Sequence, residues 1–176
     1  MNFDLSDEQQ LLADTLKRYL TKEYTIDARA KIVASPAGWS ESVWAALAEM
    51  GLLGVPFPEE HGGFGGTAVD VMLVMEAIGE ALVVEPYWVN VGLAGRLVAR
   101  AGSAEQQKRI LPALIQGKHR LAFAHTERTA RYDLRHVGAR AKRSRWCSAS
   151  PKVCPIIVSR RKVWLIFSSS VMPIPP

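Results

Sequence analysis

The chain has 176 residues, 48% of them hydrophobic and 22% charged. That balance excludes a wholly disordered chain, and no apolar run approaches the roughly 18 residues that a membrane-spanning helix needs. The opening residues MNFDLSDEQQ lack the basic-then-apolar order of a secretion signal, so a cytoplasmic protein without a transmembrane segment is expected.

The formal charge of +5 is unevenly distributed. Residues 1–133 hold all 17 acids against 13 Lys and Arg, a net of −4, whereas residues 134–176 hold nine bases and no acid. Basicity is therefore a property of the C-terminal stretch and gives no nucleic-acid signature for the whole chain. All 13 glycines lie at or before Gly138, while five of the ten prolines and both cysteines lie between Ser144 and Pro176. Cys147 and Cys154 have no neighbouring His or Cys cluster, so free thiols are expected rather than a metal module or a disulfide framework.

Ser6 followed by Gln9 has capping-box spacing, and Leu12, Leu16, Tyr19 and Leu20 recur on one helical face, which predicts a helix from Asp7 to Lys22. A second helix is predicted over Ser40–Met50, with Val43, Trp44 and Leu47 inward and Gly51 ending the run. Its apolar stripe requires another helix as partner. Residues 51–66 read as a structured connection, because Pro56 and Pro58 interrupt helical bonding and the paired glycines permit tight turns or close packing. A phosphate-cradling loop is the alternative, although no Gly-Lys-Ser/Thr sequence ends it. Adjacent Glu59 and Glu60 read as turn or cap acids rather than a catalytic pair.

Thr67 with Asp70 starts the next predicted helix, whose Val71, Val74, Met75, Ile78 and Leu82 form a buried face to about Val84. Pro86 suits the first turn of a further helix running toward Ala101, with Val91, Leu93, Leu97 and Val98 inward. Ser103 and Gln106 form a second capping-box pair, and Pro112 predicts a break before Leu114. From Leu121 to Thr126 bulkier and smaller side chains alternate as in a strand, which alone has no pairing partner.

These motifs, in this order and spacing, resemble the N-terminal part of the acyl-CoA dehydrogenase family, particularly the branch of the pimeloyl-CoA dehydrogenase small subunit. The resemblance covers residues 1–143. It runs through FDLSDEQ at Phe3–Gln9, GLLGVPFPEE at Gly51–Glu60, GGFGG at Gly62–Gly66 and EAIGE at Glu76–Glu80. It continues through QKRILP at Gln107–Pro112 and LAFAHTE at Leu121–Glu127 to Arg131–Asp133. It implies a mainly α fold: a helical domain over residues 1–120, the start of a middle β-domain over 121–143, and a divergent basic tail over 144–176.

The resemblance also implies an oxidoreductase that uses FAD to desaturate an acyl-CoA thioester between its α and β carbons. The family segment that contacts flavin and acyl-CoA matches Phe123–Asp133. Phe123 takes an aromatic wall position, and Thr126 matches a residue that hydrogen-bonds near the reactive end of the isoalloxazine. Tyr132 stands where many relatives have Ser, while Arg128 replaces a common Pro and Arg131 a Gly. His125 falls beside the flavin as a donor, or is a structural histidine at a strand edge. Arg131 is open between an anionic cofactor or CoA group and plain solvent exposure. The resemblance thus gives Phe123, His125, Thr126 and Tyr132 as the FAD-binding set, with no metal ligand and no catalytic residue. The family's base comes from a C-terminal domain for which this chain offers no matching position, and Glu127 is not assigned that role.

Past Arg143 the family pattern is replaced by Ser144–Cys154. A frameshift or rearrangement near 139–145 explains that change; a genuine β segment, with strands at Val153–Val158 and Val163–Phe167, is the alternative. Three functions follow: a truncated dehydrogenase-like flavoprotein, inactive alone and holding FAD weakly or not at all; a subunit docking onto a related full-length dehydrogenase; or weak, salt-sensitive attraction of the tail to nucleic acid or acidic membrane.

Overall fold

The computed structural model describes residues 4–123 and the backbone of 165–167. It is mainly helical, as expected, and its chain divides into two compact units between Pro86 and Tyr87.

The first unit begins with α1 (Asp7–Glu23), opened by the predicted capping box: the Gln9 amide donates to Ser6 Oγ at 3.2 Å, and the Ser6 amide to Gln9 Oε1 at 3.1 Å. Leu16 and Leu20 are the fully buried members of its apolar face. A helix not foreseen from the sequence follows, α2 (Ile26–Ala34), capped by Thr25. It buries no residue, so no apolar periodicity announced it, and only Thr25 with Asp27 in the first turn marks its start.

The helix predicted over Ser40–Met50 is α3 (Glu41–Glu49), capped by Ser40, with Val43, Trp44 and Leu47 buried. Gly51 ends it with a φ of 76°, a left-handed conformation favouring glycine. α3 is followed at once by the 3-10 turn Leu52–Gly54, which packs against it. That turn buries Leu52 and Leu53.

The thirteen residues of α4 (Ala68–Glu80) start at a second capping box, with the Thr67 amide donating to Asp70 Oδ2 at 2.6 Å. The two helix starts are joined, because Gln9 Nε2 donates to Asp70 Oδ1 at 3.2 Å, and α1 and α4 pack against each other. α4 ends four residues short of the predicted Val84. Leu82 has a φ of 53° and is 57% exposed, not inward. Three side chains fasten the irregular segment beyond it. Arg29 Nε donates to Leu82 O at 2.8 Å, Tyr24 Oη accepts from the Val84 amide at 3.1 Å, and Glu85 Oε1 accepts from the Ser40 amide at 3.0 Å.

In the second unit, the predicted helix after Pro86 is present but wider than an α-helix. Trp88–Gly95 forms a π-helical stretch that passes into α5 (Arg96–Ala101), and the Arg96 amide reaches Val91 O, five residues back. Val91 and Val98 are buried as predicted, whereas Leu93 and Leu97 are only half-buried. The third capping box, Ser103 with Gln106, opens α6 (Ala104–Ile115). Gln107 Nε2 closes the preceding corner by donating to Ala99 O and Gly102 O.

Pro112 does not break α6, which runs on to bury Leu114 and Ile115. Pro112 cannot serve the carbonyl of Lys108, but Lys108 lies on the exposed face, where water can, and the burial of Leu111 and Leu114 holds the helix together. β1 (Leu121–Phe123) then pairs antiparallel with β2 (Leu165–Phe167), Ala122 opposite Ile166. The expected strand at Leu121 thus has a partner within the range predicted for the tail. The expected strand at Val153–Val158 lies outside the described residues.

Two measurements test this packing. A Cβ at Gly63 would stand 2.1 Å from the Phe57 carbonyl oxygen, whereas one at Gly79 meets nothing within 4 Å. Thermal unfolding should therefore show Gly63→Ala destabilised by about 1–3 kcal/mol and Gly79→Ala stabilised by about 0.5–1 kcal/mol. The second concerns acid. The hydroxyl of Thr67, and then its amide, hold the Asp70 carboxylate below the ordinary range. The unfolded chain takes up that proton first as pH falls, so the stabilisation is complete at neutral pH and fades from about pH 4 downward. Urea midpoints at pH 6 and pH 3 should differ less in Asp70→Asn than in the wild type.

Candidate functional site

Among the described residues, the site expected from the sequence is represented by β1 and the helical wall behind it. β1 packs on the π-helical stretch. Gly92 lies under the Trp88 ring so closely that a Cβ would stand 2.4 Å from Trp88 Cε3. Trp88 and Val89 remain largely exposed, while Tyr87, Asn90 and Val91 are buried. Burial alone pushes the Tyr87 hydroxyl far above its ordinary pKa, so it stays protonated.

Asn90 is the notable polar group in this wall. Its Oδ1 accepts a 2.5 Å hydrogen bond from the Leu121 amide, the first of β1, and its Nδ2 is buried without an acceptor. Gly117, with a φ of 72°, turns the chain out of α6, and the amides of Lys118 and His119 both donate to Ala113 O. The strand is therefore aimed by the end of α6 and fastened by Asn90. The sequence reading missed Asn90, although one signal was present: it is the lone amide side chain in the apolar run from Trp88 to Val98.

Of the predicted FAD-binding residues, Phe123 is half-buried at the end of β1. His125, Thr126 and Tyr132 lie outside the described residues, as do Glu127, Arg128, Arg131, Cys147 and Cys154. No group of three or more His, Cys, Asp or Glu gathers among the described residues, and none of their helices is long and apolar enough to cross a membrane.

The glycine-rich loop of the first unit is not a phosphate cradle. The amides of Gly62, Gly63, Phe64, Gly65 and Gly66 donate to the carbonyls of Glu59, Pro58, Gly54, Phe57 and Val55. Those donors would have to turn outward to hold a phosphate. The cleft beside the loop, about 610 Å³, is walled by Leu11, Leu12, Val55 and Phe64 and carries the Asp70 carboxylate, which suits apolar groups and repels anions.

Residues 6–118 match the acyl-CoA dehydrogenase N-terminal domain, ending just before β1. The chain belongs to the acyl-CoA dehydrogenase family. It is 33% identical over 135 residues to the probable acyl-CoA dehydrogenase YngJ of Bacillus subtilis, covering 76% of this chain and 35% of that protein. The chain thus spans about a third of that relative's length. Its structure resembles the ChsE4–ChsE5 complex from Mycobacterium tuberculosis, with 25% identity, a TM-score of 0.63, and coverage of 68% of this chain and 33% of that one. It also resembles an acyl-CoA dehydrogenase from Bacillus anthracis complexed with FAD, with 26% identity, a TM-score of 0.60, and coverage of 72% and 22%.

The wall carries its own prediction. Gly92→Ala should displace the Trp88 ring, changing the near-ultraviolet circular dichroism while the far-ultraviolet helical signal is retained, at a stability cost of about 1–3 kcal/mol.

Proposed function

We propose that this chain supplies the N-terminal helical wall of an FAD-dependent acyl-CoA dehydrogenase site and that, by itself, it does not oxidise acyl-CoA. The observation that carries the reading is the family match over residues 6–118, which leads directly into the segment that resembles the family's flavin-facing stretch. When bound, FAD supplies the electron sink for α,β-desaturation of the thioester. The part of this chain is to bind and orient: Phe123 as the aromatic wall, Thr126 as the hydrogen-bonding group near the isoalloxazine, and His125 and Tyr132 as its polar neighbours. Phe123 fits that part, being an aromatic ring at the end of a strand whose first amide is fastened by Asn90.

Removal of the α proton needs a carboxylate, and the resemblance places that base in a C-terminal domain, outside the matched residues 6–118. On this reading the wall supplies only part of the alignment of the reacting atoms and of the enclosure of the flavin, so weak FAD retention and no turnover are expected of these residues by themselves. Residues 1–120 then serve as the helical domain, 121–143 as the start of the β-domain and 144–176 as a basic tail.

Flavin absorbance per purified chain is expected to be low in the wild type, in Thr126→Ala and in a chain ending at Arg143. Assays of the wild type with several CoA thioesters and an artificial electron acceptor should give no product. Near-stoichiometric flavin that survives gel filtration and falls in Thr126→Ala, or an enzyme-like rate, would overturn the proposal.

A second reading is a subunit that docks onto a related full-length dehydrogenase, favoured by the structural likeness to the ChsE4–ChsE5 complex and by the likeness to the pimeloyl-CoA dehydrogenase small subunit. Pulldown with such a subunit, followed by size measurement and assay of the partner, tests it. Absence of both a stable complex and an altered partner activity removes it.

A further inference from the structure

We propose that Asn90 is a positioning residue, which sets the start of β1 and through it the placement of Phe123; its role in the site rests on the flavin-wall reading above. Asn90 is 1% exposed, so a ligand does not reach it and any influence passes through the chain. Its Oδ1 holds the Leu121 amide at 2.5 Å, two residues before Phe123, across 31 positions of sequence. That amide is spent on a side chain of the helical wall, so Asn90 fixes where along the wall the strand begins.

The other half of the side chain sharpens the assignment. Nδ2 is buried without an acceptor, a cost that a leucine of similar volume would avoid. Retaining an amide in an apolar wall at that cost points to its carbonyl oxygen, whose one bond fastens β1. The π-helical widening is the local device: it places Asn90 among buried neighbours while Trp88 and Val89 stay outward.

The test uses the full 176-residue chain as wild type, Asn90→Leu, which keeps the volume and removes the acceptor, and Asn90→Asp, which keeps an acceptor atom. Amide hydrogen exchange is read at Leu121 and Phe123, with Leu111 and Leu114 in α6 as internal reference. In the wild type the Leu121 amide should be protected. In Asn90→Leu exchange at Leu121 and Phe123 should accelerate at least about tenfold with α6 unchanged, and Asn90→Asp should restore most of the protection. An unprotected Leu121 in the wild type, unchanged exchange in Asn90→Leu, or equal acceleration in α6 overturns the proposal, and the first of these needs no variant to fold.

Titration of the same three proteins with FAD separates the two readings. Weaker FAD binding in Asn90→Leu, rescued in Asn90→Asp, supports positioning of the site. Lost strand protection with unchanged FAD affinity overturns the role of Asn90 in the site and leaves the flavin wall standing. No FAD binding at any concentration, with the exchange pattern as expected, overturns a role of Asn90 in FAD binding by this chain and leaves the strand clamp standing.

Discussion

A connection that buries Leu52, Leu53, Val55 and Phe57 must find partners for the backbone it takes out of water, and residues 51–66 find them within themselves. The Gly65 amide donates to Phe57 O and the Gly66 amide to Val55 O, at 2.7 and 2.8 Å. At Gly63 and Gly66 only a residue without a Cβ fits, because a Cβ would stand 2.1 Å from the Phe57 carbonyl oxygen and 2.6 Å from that of Val55. Because the loop closes on itself, it delivers Thr67 to the start of α4, where Asp70 meets Gln9 from the start of α1. The same economy explains why a glycine-rich run does no phosphate chemistry here.

The second unit solves a different problem with one side chain. A three-residue strand gains little from its ladder, so its placement depends on what lies behind it. Asn90 supplies a directional bond where apolar contact alone would permit sliding, and Gly92 lets the Trp88 ring lie flat against the helix beside it. Under the proposed flavin wall, this strand needs its angle set as well as its burial. A hydrogen bond sets angle more narrowly than dispersion does.

Much of this was legible in the residues. The three capping pairs, Ser6 with Gln9, Thr67 with Asp70 and Ser103 with Gln106, each name a helix start through side chains that reach their own backbone three residues away. Their chemistry is local and survives any tertiary context. Ordered motifs also carried the family, because loop sequences such as GGFGG are constrained by backbone geometry that few other residues tolerate.

What the sequence could not settle was decided where distant parts meet. α2 has no buried face, and periodicity only reports burial. Leu82 looks like one more member of an apolar stripe until its backbone is turned outward and held by Arg29, 53 positions earlier. Pro112 is survivable because Leu111 and Leu114 are buried on either side of it. Asn90 looks like a flaw in an apolar run until Leu121 presents an amide that needs an acceptor. Local hydrogen bonds and backbone sterics can be read along the chain, whereas burial, and the polar partners that burial demands, exist only after the chain has folded.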